Sequence, residues 1–236
     1  MPDYRNTEEQ FRQALNFERR PVAISFRQSA PAGVAKFSGS EPSGCSFWRL
    51  AAAGRTFYTV PGDHYNCAIG SYTHNLALPD ARTSELDQTL SFMTGIGYLK
   101  MEEVPAIPRL PRPPAVVIYA PLADAPLDPD VVLFAGRPGK LMLLQESAAR
   151  VGVSAGIPML GRPTCIVLPA ALAGNFVVSS GCIGNRVYTG VGEDELYVAF
   201  PGKELEKIAG ELSTIISANA KLAEFHQGRR KQLATE

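Results

Sequence analysis

The segment that most constrains the fold is Ala115-Val116-Val117-Ile118-Tyr119-Ala120, a run with no charge and no alternation of polar and apolar positions. A strand open to water on one side alternates, whereas an uninterrupted apolar run is covered on both faces. The rest of the chain must therefore supply elements to cover a sheet twice. Further short strands are read at 21–26, 55–60, 130–134, 163–168, 175–179 and 195–200. Helical spacing is read at 7–18, 43–53, from 68, at 84–94, at 140–151, and from Lys203 to a fraying charged tail that starts at Gln227. The strands at 163–168 and 175–179 are too close for a helix between them, so they are read as an antiparallel pair and the sheet as mixed. The expected class is α/β (α+β): a mixed β-sheet flanked by helices, with a long C-terminal helix whose Leu205, Ile208, Leu212 and Ile215 share one face.

Domain number follows from length. At 236 residues the chain suits one large or two small domains. Pro105, Pro108, Pro111, Pro113 and Pro114 form a rigid strip. The expectation is one module over 1–236, with two intimately packed lobes divided near 104–114.

Charge narrows the partners. Lys and Arg equal Asp and Glu, 23 against 23, which argues against nucleic acid as a partner. The polar, acidic start is no export signal, and no run of 18 apolar residues is present, so no membrane partner is expected. A reducing cytoplasm and free or metal-bound thiols are the corresponding expectations. That leaves a small-molecule ligand as partner, with a homo-oligomer through the last helix as a weaker reading. GxSxG, HExxH and calcium-loop motifs are absent from the sequence.

Chemistry concentrates at cysteine. Cys45 follows Ser43-Gly44, Cys67 lies in His64-Tyr65-Asn66-Cys67-Ala68-Ile69-Gly70, and Cys182 lies in Ser180-Gly181-Cys182-Ile183-Gly184-Asn185-Arg186. Each stands beside glycine or a turn, where the backbone can approach a sulfur-bound group and helix-start amides favour a thiolate. Such thiolates suit an iron–sulfur cluster or zinc, with one coordination position left open. His64 is the candidate fourth ligand or acid–base group, and Arg186 the candidate anion contact. No CxxC pair is present, so three unrelated buried thiols, or a redox pair, remain open readings. Cys165, in the apolar stretch Thr164-Cys165-Ile166-Val167-Leu168, reads as a packing residue on a strand. A metal-free module that binds an anionic small molecule through Arg186 or Arg137 is the alternative. Trp48, Phe47 and Phe57 read as core, and His74 and His226 as isolated.

These motifs, with Pro21-Val22-Ala23-Ile24 before them and Tyr188-Thr189-Gly190 and Asp194-Glu195-Leu196-Tyr197 after, resemble the domain-of-unknown-function 169 family. The resemblance runs from about residue 7 to about residue 225. It implies one full-length prokaryotic, cytoplasmic module in which Cys45, Cys67 and Cys182 occupy the cysteine motifs, and it assigns no activity. If those three thiols meet, the segments before and after the proline strip must share one core.

Overall fold

A computed structural model describes residues 3–155 and 162–233. The chain runs α1 (Tyr4–Leu15), β1 (Val22–Arg27), α2 (Ser46–Ala52), β2 (Phe57–Thr59), α3 (Ala68–Thr73), α4 (Ser84–Gly95), β3 (Val116–Pro121), β4 (Val131–Gly136), α5 (Pro138–Arg150), α6 (Val167–Leu172), β5 (Val177–Ser179), α7 (Ile183–Thr189), β6 (Leu196–Pro201) and α8 (Leu205–Leu233). The strands form one six-stranded sheet in the order β2-β3-β1-β4-β6-β5. Strands from before the proline strip (β1, β2) pair with a strand from after it (β3).

Residues of successive sequence position face opposite sides, as the strand period demands. Val22, Ile24, Val131, Leu133, Tyr197 and Ala199 enter one core with α2 and α6. Ala23, Val132, Phe134, Val198 and Phe200 enter the other, with α1, α5 and α8. The sheet is thus covered on both faces, as the apolar run at 115–120 requires. In α8, Leu205, Ile208 and Leu212 are buried against the sheet. Burying each is worth about 1.5–3 kcal/mol, which outweighs the roughly 1 kcal/mol that Gly210 costs within that helix. Beyond residue 220 the described part of α8 is exposed.

The expected strand at 163–168 is instead a 3₁₀ turn, Thr164–Ile166, that runs into α6. Pro169 gives the reason: it has no N–H for a sheet ladder, but it falls in the first turn of α6, where that N–H would have no partner anyway. Every residue from Thr164 to Ala171 is buried, and burial rather than β-propensity decides the local structure. Among the described residues, every pair of named strands is antiparallel, where a mixed sheet was expected. Among the described residues, parallel pairing is confined to the single bridges Lys36–Tyr58 and Ala155–Phe176. The first helix also begins earlier than its sequence suggests, because Asp3 accepts the Asn6 N–H at 3.0 Å and takes the capping position expected of Thr7. No helix among the described residues is long and apolar enough to cross a membrane.

Candidate functional site

Three short helices each begin at a cysteine. Cys45 precedes α2, Cys67 precedes α3, and Cys182 precedes α7. The Cys67 sulfur accepts the Gly70 N–H at 3.2 Å, and the Cys182 sulfur accepts the Asn185 N–H at 3.5 Å. The Cys45 sulfur lies 3.1 Å from the Ser43 hydroxyl. All three line one cavity of about 760 Å³ on the α2/α6 side of the sheet. Space is tight at Gly70: a Cβ on it would stand 3.0 Å from the Cys67 sulfur, so that side chain would have to give by a few tenths of an ångström.

Cys165 lines the same cavity. The sequence set it apart as a packing residue, but the 3₁₀ turn aims it inward. The adjacent Thr164 hydroxyl accepts the Cys182 N–H at 2.5 Å, tying the two cysteine segments together. The four thiols are near enough for their charges to interact: Cys165 responds to Cys67, Cys182 and Cys45. Burial pushes the Cys45 thiol up to about 11, against the pull of Ser43 and Asn185. Burial also raises Cys67, against the N–H groups of Gly70, Gly44 and Ile69, and holds Cys165 well above the ordinary thiol range. Among the described residues, no three His, Cys, Asp or Glu side chains stand close enough together to hold a single metal ion.

The other candidates are placed elsewhere. His64 is buried behind Gly44 and is not among the cavity-lining residues. The Thr59 hydroxyl donates to the Val117 carbonyl at 3.2 Å, so its oxygen accepts from His64 Nε2–H at 2.8 Å. His64 Nδ1 is then a buried lone pair without a partner. His74 is not isolated but lies against His64, with ring centroids 5.3 Å apart. It donates from Nδ1 to the Gly70 carbonyl at 2.8 Å and leaves Nε2 unpartnered. Arg186 donates to the carbonyls of Ser180, Gly192 and Glu195, so its guanidinium holds the turns around α7 together. Arg137 is on the surface with Glu18 and Asp194. His226 is exposed, while Trp48, Phe47 and Phe57 are core residues.

Sequence reasoning missed two features of the site. The helix α7 was not expected, because Gly184, Val187 and Thr189 are poor helix formers; the available signal was the Cys182 cap together with Gly190 as a stop. Asn185 was passed over, yet it lines the cavity at 1% exposure with both amide atoms lacking a hydrogen-bond partner. The amide stands by the Cys45 thiol and the Tyr197 hydroxyl and favours the ionised form of each, against the burial that opposes it.

The chain matches, over residues 10–211, the family described as DUF169, uncharacterised ArCR. It belongs to that family. All three cysteine motifs and Asn185 fall inside the DUF169 match. A similar protein is an uncharacterised protein of Methanocaldococcus jannaschii, 27% identical over 175 residues that cover 70% of this chain and 73% of the relative. No solved structure matches the chain.

The histidine pair gives the DUF169 chain a defined acid response. Burial holds the His64 imidazole well below its ordinary range, with the neighbouring His74 adding to the effect. Burial lowers His74 to about 4, opposed by its bond to the Gly70 carbonyl. A folded value below the unfolded one stabilises above the unfolded value, and the stability is lost as pH falls toward the folded value. Between pH 6.5 and 4, His74 alone is expected to cost about 3 kcal/mol, and His64 acts in the same direction. Urea unfolding at pH 7 and pH 4 measures this; His74→Phe should shrink the difference, and an unchanged difference would refute the assignment.

Proposed function

We propose that this protein holds an iron–sulfur cluster, or a comparable polynuclear thiophilic centre, on Cys45, Cys67 and Cys182, and that the centre serves redox or Lewis-acid chemistry on a small molecule in the same cavity. The observation that carries this reading is the convergence of three cysteines at helix starts, from three distant segments, on one cavity. The donor set is soft and suits iron–sulfur or thiophilic metals. A single zinc ion draws its sulfurs around one point at about 2.3 Å, whereas in a four-iron cluster each cysteine sulfur binds a different iron and the sulfurs stand further apart.

When bound, such a centre supplies electron exchange or an open coordination position. The chain's own residues do the rest. The N–H groups of Gly70, Gly44 and Ile69 favour a thiolate at Cys67. Thr164 fixes the Cys182 backbone, and the apolar walls exclude water. A cavity of this size is in the range of small-molecule sites and leaves room beside a cluster. The cytoplasm, where thiols stay reduced, is the compartment this reading calls for.

A metal-free binding module is the second reading, favoured by the burial that keeps Cys45, Cys67 and Cys165 protonated. Iron and acid-labile sulfide analysis of anaerobically purified protein decides between the two. The first reading expects near-stoichiometric iron and sulfide with broad visible absorption. Colourless protein that stays metal-free after anaerobic reconstitution would leave the second.

A further inference from the structure

We infer that the cysteine cavity takes a neutral, predominantly apolar molecule of the lipid-soluble class, an aliphatic or prenyl chain with an uncharged head, in preference to any ionic ligand. The inference rests on the cavity being a ligand site, as proposed above, and not on the identity of any metal.

The wall sets the class. Ile69, Met93, Leu99, Ile107, Ile166 and Ile183 line the cavity. They belong to α3, α4, the segment after α4, the turn before α6, and α7, so apolar surface faces the space from several elements. At about 760 Å³ the space admits a small molecule of considerable size.

Charge excludes ions. Among the described residues that line the cavity, the charged side chains are Glu103 and Arg162. They are of opposite sign and stand 3.8 Å apart, and the Arg162 guanidinium lies 4.6 Å from the centre of the Tyr98 ring. Residues 156–161, next to Arg162 in the chain, are Gly-Ile-Pro-Met-Leu-Gly and contain no ionisable side chain. A charged ligand would leave water without meeting a free counter-charge, at a large desolvation cost. Hydroxyls and amides of the wall are largely engaged within the protein as well. Ser43 is bonded to Ser46, Thr89 donates to the Glu85 carbonyl, and Asn66 donates to Ser40 and to the Glu41 carbonyl.

The outer surface continues the wall. Thr89 and Met93 of α4 line the cavity, and Phe92 and Ile96 complete the same i, i+3, i+4, i+7 stripe with more than half of each side chain exposed. On α7, Ile183 and Tyr188 line the cavity, and the exposed Val187 lies one turn after Ile183. Exposed apolar surface that runs into a cavity is a feature of binding sites. It gives an apolar ligand an apolar route from the surface to the chamber.

The test uses full-length, anaerobically purified protein at pH 7 and isothermal titration calorimetry. Four probes are compared: 1-decanol, decanoate, decylammonium and the shorter 1-octanol. We expect decanol to bind at least about tenfold tighter than either charged probe. It should also bind about tenfold tighter than octanol, for two further buried methylenes. Met93→Lys, at a half-buried wall position, should weaken decanol and strengthen decanoate, lowering their affinity ratio by at least about tenfold. Equal binding of decanol and either ion, no gain with chain length, no binding of any probe, or an unaltered ratio in Met93→Lys overturns the inference. Should that variant not fold, the four-probe comparison on the unaltered protein decides alone. Iron measured on the same samples separates the two proposals. Decanol preference without iron rejects only the metal centre, and iron without decanol preference rejects only the apolar ligand.

Discussion

Exchange of Cys45, Cys67 and Cys182 together for serine is expected to reduce iron incorporation by at least about tenfold. A serine hydroxyl is a hard, protonated donor at neutral pH and does not replace a thiolate on iron. The same exchange should leave the fold intact, because each cysteine stands at a helix N-cap. Serine is among the best residues at that position, and its oxygen can take the N–H bonds that the Cys67 and Cys182 sulfurs now accept. Circular dichroism and thermal melting on the triple variant separate lost ligation from lost structure. Cys165→Ala is expected to retain iron, because burial holds this thiol well above the ordinary range and so opposes the thiolate that iron binds. Unchanged iron in the triple variant would refute the assignment of ligands.

Gly202→Ala is expected to be the most damaging single substitution, at more than about 3 kcal/mol, or to prevent folding altogether. A Cβ at this position would stand 1.9 Å from the Pro129 carbonyl oxygen and 2.7 Å from its carbon. Both atoms are backbone, so no side-chain rotation can relieve the contact. Here the end of β6 passes the entrance to β4, with Val131 opposite Pro201 and the Gly202 N–H on the Asp130 carbonyl at 2.9 Å. Relief would part that bond and shift the entry of α8, whose Leu205 and Ile208 anchor one face of the sheet. Gly210→Ala, in the exposed flank of α8 with nothing near its Cβ position, should instead stabilise by about 0.5–1 kcal/mol. Urea unfolding of the two variants, measured side by side, checks the contrast; similar stabilities would contradict it.

What the sequence could and could not reveal follows from how local each feature is. The apolar runs of β1, β3, β4 and β6 announce themselves, because burial on both faces leaves few polar positions, such as Ser25 and Arg27 in β1. The helical spacing of α5 and α8 is equally local. The segment at 163–168 misleads, since its β-branched and apolar residues are there to fill a core and not to extend a strand. Pro169 was the local sign of the helix. The three cysteines beside a glycine or a turn were legible as a group, but the fourth member depended on a turn that only tertiary packing sets. His64 and Arg186 stood in the right neighbourhoods and point away, because Thr59 claims one and three carbonyls claim the other. Asn185 was illegible because its place beside Cys45 and Tyr197 is set by tertiary packing, which no sequence pattern carries.

The strand order has a kinetic meaning. The two short edge strands lie at opposite margins of the sheet, and each leads into a cysteine-capped helix, β2 toward Cys67 and β5 toward Cys182. Contacts between parts of the chain this distant form only after the loops between them have closed. The cavity walls are therefore completed when the sheet has been assembled across its full width. A partly made or truncated chain would have scattered thiols and no chamber, so competence to receive a ligand arrives in one step, with the finished fold.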